Sequence, residues 1–200
     1  MLDIACDVLK ESYKRNWITS LDGNFSFKRS GEKHMYVTPS GVRKHLLSEE
    51  LLIKISIPDL SRKWFESPDQ KFCKGLLPTG ELPMHHNLQK DYDGCRFVLH
   101  LHPTYTIAAM KKGVYLSSLS KEFPELKRYT RVGPNVPAIE PVSLELSKAV
   151  CSAFNIKNNG IIDYDIIGLD RHGIVSIASD PWSAFEHVER LEHICKIHLI

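Results

Sequence analysis

Two hundred residues, 42% apolar and 25% charged, are enough to bury a full core without disulfide or metal staples. A formal charge of +2 is too small to argue for a nucleic-acid partner, and no apolar run approaches the roughly 18 to 20 residues that cross a bilayer. Cys6, Cys73, Cys95, Cys151 and Cys195 are scattered, odd in number and without a C-x-x-C pair, which predicts reduced thiols, mostly buried, in a cytoplasmic protein. The opening Met1-Leu2-Asp3-Ile4 has no basic stretch ahead of its apolar residues, so no secretory leader is expected.

Leu2, Ala5, Val8 and Leu9 recur at helical spacing opposite Asp7, Lys10 and Glu11, predicting an amphipathic helix over residues 3–15. The stretch 17–28 runs from a turn into an alternating strand, and Ser30-Gly31-Glu32-Lys33 followed by Met35-Tyr36-Val37-Thr38 reads as a hairpin that Pro39-Ser40-Gly41 breaks. Residues 51–57 read as a further strand, whereas 58–78 mix charge, aromatics and proline without a clean period. A helix is expected over 84–91, a strand over 96–102 and a helix over 104–111. Residues 134–141, bounded by prolines, are expected to be irregular. A helix over 143–154, strands over 161–169 and 174–177, and a last helix opened by Asp180-Pro181 complete the chain. Strands and helices alternate without a visible linker or repeat, which predicts an α/β or α+β chain folding as one domain over 1–200.

The chemistry concentrates in Arg96-Phe97-Val98-Leu99-His100-Leu101-His102-Pro103. Alternation in a strand turns Phe97, Leu99 and Leu101 to one face and Val98, His100 and His102 to the other, and Pro103 ends the strand by withholding an N–H. Two imidazoles on one face are half of a site for a borderline ion such as zinc, which takes three protein ligands when it keeps a position open. His172, followed by a glycine that permits close backbone approach, is the candidate third ligand. His187, His193 and His198 lie among Glu186, Glu189 and Glu192 on the last helix, where a solvated polar face is expected. Glu81, a carboxylate in an otherwise uncharged turn, is a candidate general base or an exposed loop acid. Gly23-Asn24, Ser40-Gly41 and Thr79-Gly80 lie in tight turns rich in small hydrogen-bonding residues, able to cradle a phosphate or simply to reverse the chain.

Taken in order, Gly23-Asn24-Phe25-Ser26, Thr38-Pro39-Ser40-Gly41, Pro78-Thr79-Gly80-Glu81-Leu82-Pro83-Met84-His85, His100-Leu101-His102-Pro103 and His172-Gly173 resemble the motifs of the class II aldolase/adducin family over nearly the whole chain. The resemblance implies a three-layer α/β/α fold with a central, largely antiparallel sheet, and a homotetramer with active sites at subunit interfaces. It implies a divalent metal, usually zinc with manganese, iron or cobalt as alternatives, held by His100, His102 and His172. Gly23, Asn24, Ser40, Gly41, Thr79 and Gly80 would hold a substrate phosphate, and Glu81 would move the proton.

The implied activity is that of a lyase making or breaking a C–C bond in a small phosphorylated ketose through a metal-stabilised enediolate. Dehydratase, epimerase and decarboxylase chemistry use the same scaffold, and a non-catalytic module like the head of adducin is the alternative from another class. Thr79-Gly80 stands where the family carries paired serines, one hydroxyl fewer. Tyr115 and Tyr129 fall in the region from which family aldolases draw a second acid, outside any matching motif.

Overall fold

Strand pairing in this chain is organised by alternating apolar residues, and the computed structural model describes residues 1–59, 75–94 and 96–200. Most of the aperiodic stretch 58–78, together with Cys73 and Cys95, lies outside the described residues. Among the described residues seven strands form one sheet: β1 (Asn24–Lys28), β2 (His34–Val37), β3 (Ile53–Ser56), β4 (Arg96–Leu101), β5 (Val132–Val136), β6 (Ile166–Leu169) and β7 (Gly173–Ala178). Their order is β3-β2-β1-β4-β7-β6-β5, and every neighbouring pair is antiparallel except β5 with β6.

Helices cover both faces, giving the expected α/β/α layering. On one face α1 (Leu2–Lys14), α3 (Thr104–Lys111) and α7 (Pro181–His198), with short α4 (Leu119–Glu122) and α5 (Pro124–Tyr129), pack on Phe25, Phe27, Phe97, Leu99 and Leu101. On the other, α2 (Leu82–Gln89) and α6 (Leu144–Ala153) close over Val98, Ile167, Val175 and Ile177. The central strand β4 is therefore buried on both sides, its odd and even residues feeding separate cores.

The helix ends follow local chemistry. Ser143 caps α6 by accepting from the Leu146 N–H at 3.0 Å, and Asp180 caps α7 by accepting from the Ser183 N–H at 3.0 Å. Pro83 sits in the first turn of α2, where its missing N–H costs no helical bond, and the helix begins two residues before the expected 84.

Two expectations are corrected. Residues 134–136, expected to be irregular, belong to β5: the strand lies at the sheet edge and shifts register between Val132 and Asn135, so Pro134 removes no ladder bond that the sheet requires. The strand expected over 161–169 begins only at Ile166, because the preceding residues make a side-chain-tied loop. There Asp165 accepts from the Arg131 backbone N–H at 2.8 Å, and Lys157 donates to Asp163 at 2.9 Å.

Cys6, Cys151 and Cys195 are free thiols, and burial pushes them up to about 12, 11 and 12 respectively, which makes them inert packing groups. Among the described residues no helix is long and apolar enough to cross a membrane.

Candidate metal centre

Because β1 and β4 run antiparallel in register, Asn24 lies directly opposite His100, and both are on the α2 face of the sheet. One residue past the strand, the His102 N–H donates to the Trp17 carbonyl at 2.9 Å, and Pro103 then turns the chain into α3. The rings of His100 and His102 are edge to face with centroids 4.8 Å apart, and their Nε2 atoms are 2.9 Å from each other.

His172 arrives from the β6–β7 turn. Its N–H donates to the Leu169 carbonyl at 3.0 Å, and Arg171 takes the left-handed region at φ 59° to complete the reversal. A Cβ on Gly173 would stand 2.3 Å from the Leu101 carbonyl oxygen and 2.7 Å from His102 Cδ2, so only glycine lets β7 close on the end of β4. The His172 ring centroid is consequently 4.8 Å from that of His100 and 5.1 Å from that of His102. One ring nitrogen from each of the three lies within 4.8 Å of the others.

Glu81, at the N-terminus of α2, is 6% exposed and so is no loop acid turned to solvent. Its Oε2 accepts from Asn24 Nδ2 at 2.9 Å and stands 3.3 Å from His100 Nε2, while its Oε1 is 3.8 Å from His172 Nε2. Among the described residues Oε1 and His172 Nδ1 are buried without a hydrogen-bond partner.

This donor set fits a cation. His100 Nδ1 is 2.8 Å from the Ile174 carbonyl, which can only accept, so the proton sits on Nδ1 and the lone pair of Nε2 points at His102 and Glu81. Burial, followed by the neighbouring imidazoles, holds His100 and His102 down at about 3, in the neutral form that ligates metals. Lone pairs and a carboxylate facing one another in a buried space are mutually unfavourable until a positive charge stands between them.

The three turns are assembled at this end of the sheet, in a way that revises how they could bind phosphate. Gly23 and Gly41 occupy the left-handed region at φ 70° and 73°. Pro39 and Pro78 form a bridge, with the Ser40 N–H donating to Leu77 at 2.7 Å and the Thr79 N–H to Thr38 at 2.9 Å. These two amides are spent on joining the turns, and the Thr79 hydroxyl accepts from the Glu81 N–H at 3.3 Å. Val142, itself at φ 65°, packs over Gly80, with Cγ1 3.0 Å from where a Cβ would be.

Other candidates are placed elsewhere. His86 bonds the Ile57 carbonyl at 2.7 Å and His187 the Thr130 hydroxyl at 3.0 Å, while Tyr115 and Tyr129 are exposed. Glu192, expected on a solvated face, is instead buried: its carboxylate accepts from the Tyr105 and Thr106 N–H groups at 2.9 and 2.7 Å, capping α3. Ser26 and His85, quoted within motifs but given no role, and Gln89, not singled out at all, are buried behind Asn24 and Glu81. The signal for His85 and Gln89 was spacing, since they follow Glu81, the N-cap of α2, at intervals of four along one helix face, and Ser26 shares a strand face with Asn24.

Fold and cluster together define an α/β protein with a candidate three-histidine metal centre at one end of a mostly antiparallel sheet. Residues 4–199 match the sequence profile of the Class II Aldolase and Adducin N-terminal domain, and the chain belongs to the class II aldolase/adducin family. The L-fuculose phosphate aldolase of Methanococcus maripaludis is 30% identical over 192 residues, covering 94% of this chain and 90% of that protein. A methylthioribulose-1-phosphate dehydratase of Leptospira interrogans is 30% identical over 90 residues, 45% of this chain and 35% of that protein. The crystal structure of L-fuculose-1-phosphate aldolase from Thermus thermophilus shares the fold, with a TM-score of 0.73 at 20% identity over 99% of this chain and 92% of that one.

Proposed function

We propose that this protein is a divalent-metal-dependent aldolase that cleaves or forms a C–C bond in a small phosphorylated ketose, with Glu81 as acid/base and His100, His102 and His172 as metal ligands. The observation that carries the proposal is the convergence of three imidazoles on a buried carboxylate with one unpartnered oxygen. Three nitrogen donors suit zinc, with manganese, iron and cobalt as alternatives. A cation held there supplies a fixed positive charge against the negative charge that develops on an enediolate.

The protein's own groups do the rest. The Ile174 carbonyl fixes the His100 ring and its tautomer, so the ligand set is oriented before substrate arrives. Gly23, Ser40, Gly41, Thr79 and Gly80, with the second Nδ2–H of Asn24, anchor the phosphate and thereby place the carbon skeleton over Glu81, which is the positioning contribution to rate. Glu81 exchanges a proton with carbon.

A hollow of about 390 Å³ adjoins His102, lined by Tyr13, Asn16, Ile18, Thr19, Ser20, Asp22 and Thr104. The hydroxyls of Thr19, Ser20 and Thr104 and the Asp22 carboxylate supply partners for the hydroxyls of a sugar-derived aldehyde. The relatives named L-fuculose phosphate aldolase, matched over 94% of the chain, support the aldolase reading. Assembly as a homotetramer in the cytoplasm belongs to the same proposal.

The test is to purify the protein without chelator, measure bound metal, and assay L-fuculose 1-phosphate and related ketose 1-phosphates for release of dihydroxyacetone phosphate, with dehydration and epimerisation followed in parallel. Aldol cleavage that chelation abolishes and a divalent cation restores is expected. A protein with no stoichiometric metal and no turnover would be a non-catalytic module, and dehydration without cleavage would move it to the dehydratase branch.

A further inference from the structure

Five buried side chains run end to end behind the candidate centre. Gln89 Nε2 is 3.2 Å from the Arg96 carbonyl and 3.0 Å from Ser26 Oγ; Ser26 Oγ is 2.9 Å from His85 Nδ1; His85 Nε2 is 2.5 Å from Asn24 Oδ1; and Asn24 Nδ2 is 2.9 Å from Glu81 Oε2. Gln89, Ser26 and His85 are 0% exposed and Asn24 8%, so water does not substitute for these partners.

Hydrogen-bond chemistry allows the chain one direction. At one end the Arg96 carbonyl only accepts, so Gln89 presents its amide nitrogen there and also donates to Ser26 Oγ. At the other end a carboxylate only accepts, so Asn24 presents Nδ2 to Glu81 and its oxygen to His85. That oxygen requires a proton on His85 Nε2, and the neutral ring then offers Nδ1 as an acceptor. The Ser26 hydroxyl, having accepted from Gln89, has its own hydrogen to donate to that Nδ1. The two ends, reasoned independently, meet at Ser26 without conflict.

We propose that Gln89, Ser26 and His85 are positioning residues forming a one-way hydrogen-bond relay, which locks the Asn24 amide with its N–H toward Glu81 Oε2 and leaves Oε1 as the oxygen that exchanges the substrate proton. The second half of this statement rests on the reading of Glu81 as acid/base; the relay itself does not. In the deprotonation direction the C–H bond breaks, an O–H bond forms at Oε1, and the electron pair stays on the carbon skeleton. Without the relay the Asn24 amide is free to turn over, which would set its oxygen against the carboxylate and push Glu81 off its position. Buried side-chain networks of this type can be worth more than the sum of their separate bonds, so removing one member loosens the others.

Two measurements decide it. In the zinc-loaded enzyme labelled with ¹⁵N-histidine, NMR should find His85 as the Nε2–H tautomer, shifting to a mixture in Ser26→Ala; an Nδ1–H tautomer in the wild type overturns the relay. This readout needs no turnover, so it decides the relay even where the assigned reaction fails. Kinetically, Ser26→Ala and His85→Phe should lower kcat about 10- to 100-fold at unchanged metal content and nearly unchanged KM. Ser26→Thr, which keeps the hydroxyl, should restore most of the loss. In a Glu81→Gln background Ser26→Ala should cost little more, because both changes act through one carboxylate; fully additive losses would mean that these residues only support the fold.

Discussion

Glu81→Gln keeps the shape of the side chain and removes its capacity to take up a carbon-bound proton. Turnover should fall roughly a hundred- to ten-thousand-fold while bound metal, measured by elemental analysis, stays near the wild-type level. His172→Ala is expected to do the reverse first, releasing or weakening the metal, as read by competition with a chromogenic chelator. Gly173→Ala tests whether the approach of two backbones holds the centre together. The added methyl meets the Leu101 carbonyl oxygen at 2.3 Å, and backbone cannot swing aside as a side chain can. A stability loss of about 1–3 kcal/mol is expected, together with weaker metal binding because His172 is drawn away from His100 and His102. Wild-type affinity in this variant would show that the strands part without moving the ligands.

At the scale of elements, the placement of α3 decides where β4 ends and so where His102 points. That helix starts at Thr104, and its first N–H groups are satisfied from another element: Glu192 of α7 accepts from the Tyr105 and Thr106 amides and from the Thr106 hydroxyl at 2.7 Å. Glu192→Ala strands these donors in a buried place, and a loss of about 2–3 kcal/mol is expected from denaturant unfolding. Glu192→Gln, which retains one acceptor oxygen, should lose less; equal losses would mean that charge at the helix N-terminus outweighs the hydrogen bonds. The sequence showed α7 as a polar-faced helix, and on that basis Glu192 looked solvated. Periodicity reports which residues share a helix face, but it carries no information on which part of that face a neighbouring helix start will cover.

At the scale of the whole molecule, the two cores on either side of the sheet are large enough that folding is expected without a bound metal. Chelation should lower Tm through lost ligand binding while leaving a cooperative transition and an unchanged far-ultraviolet spectrum. Loss of cooperativity would make the metal structural. Acid should destabilise the fold through buried neutral histidines. His85, held down at about 3 by burial, stays unprotonated while the unfolded chain takes up protons below its ordinary value of about 6.5, and His187, lowered for the same cause, takes up its proton later than in the unfolded chain. Their contribution is thus complete above about pH 6.5 and declines as pH falls, for His85 down to about 3. His187→Gln, which can still accept from Thr130, should flatten the slope of Tm between pH 7 and pH 5; an unchanged slope would assign the acid sensitivity to other groups.

What the sequence by itself determined was local: the alternation that puts His100 and His102 on one face, the cap of α7, the turn glycines, and the order of motifs that resembles one family. These are legible because the 2.0 and 3.6 residue periods and the φ preferences of glycine and proline act within a few residues. Tertiary structure decided the rest. Pairing of β4 with β7 brings His172 to the other two imidazoles, and pairing of β1 with β4 sets Asn24 between Glu81 and His85. It also admitted Pro134 to an edge strand and buried Glu192 under α3. Such contacts depend on strand order, and strand order is chosen by how the entire chain buries its two apolar faces, a property that no short segment carries.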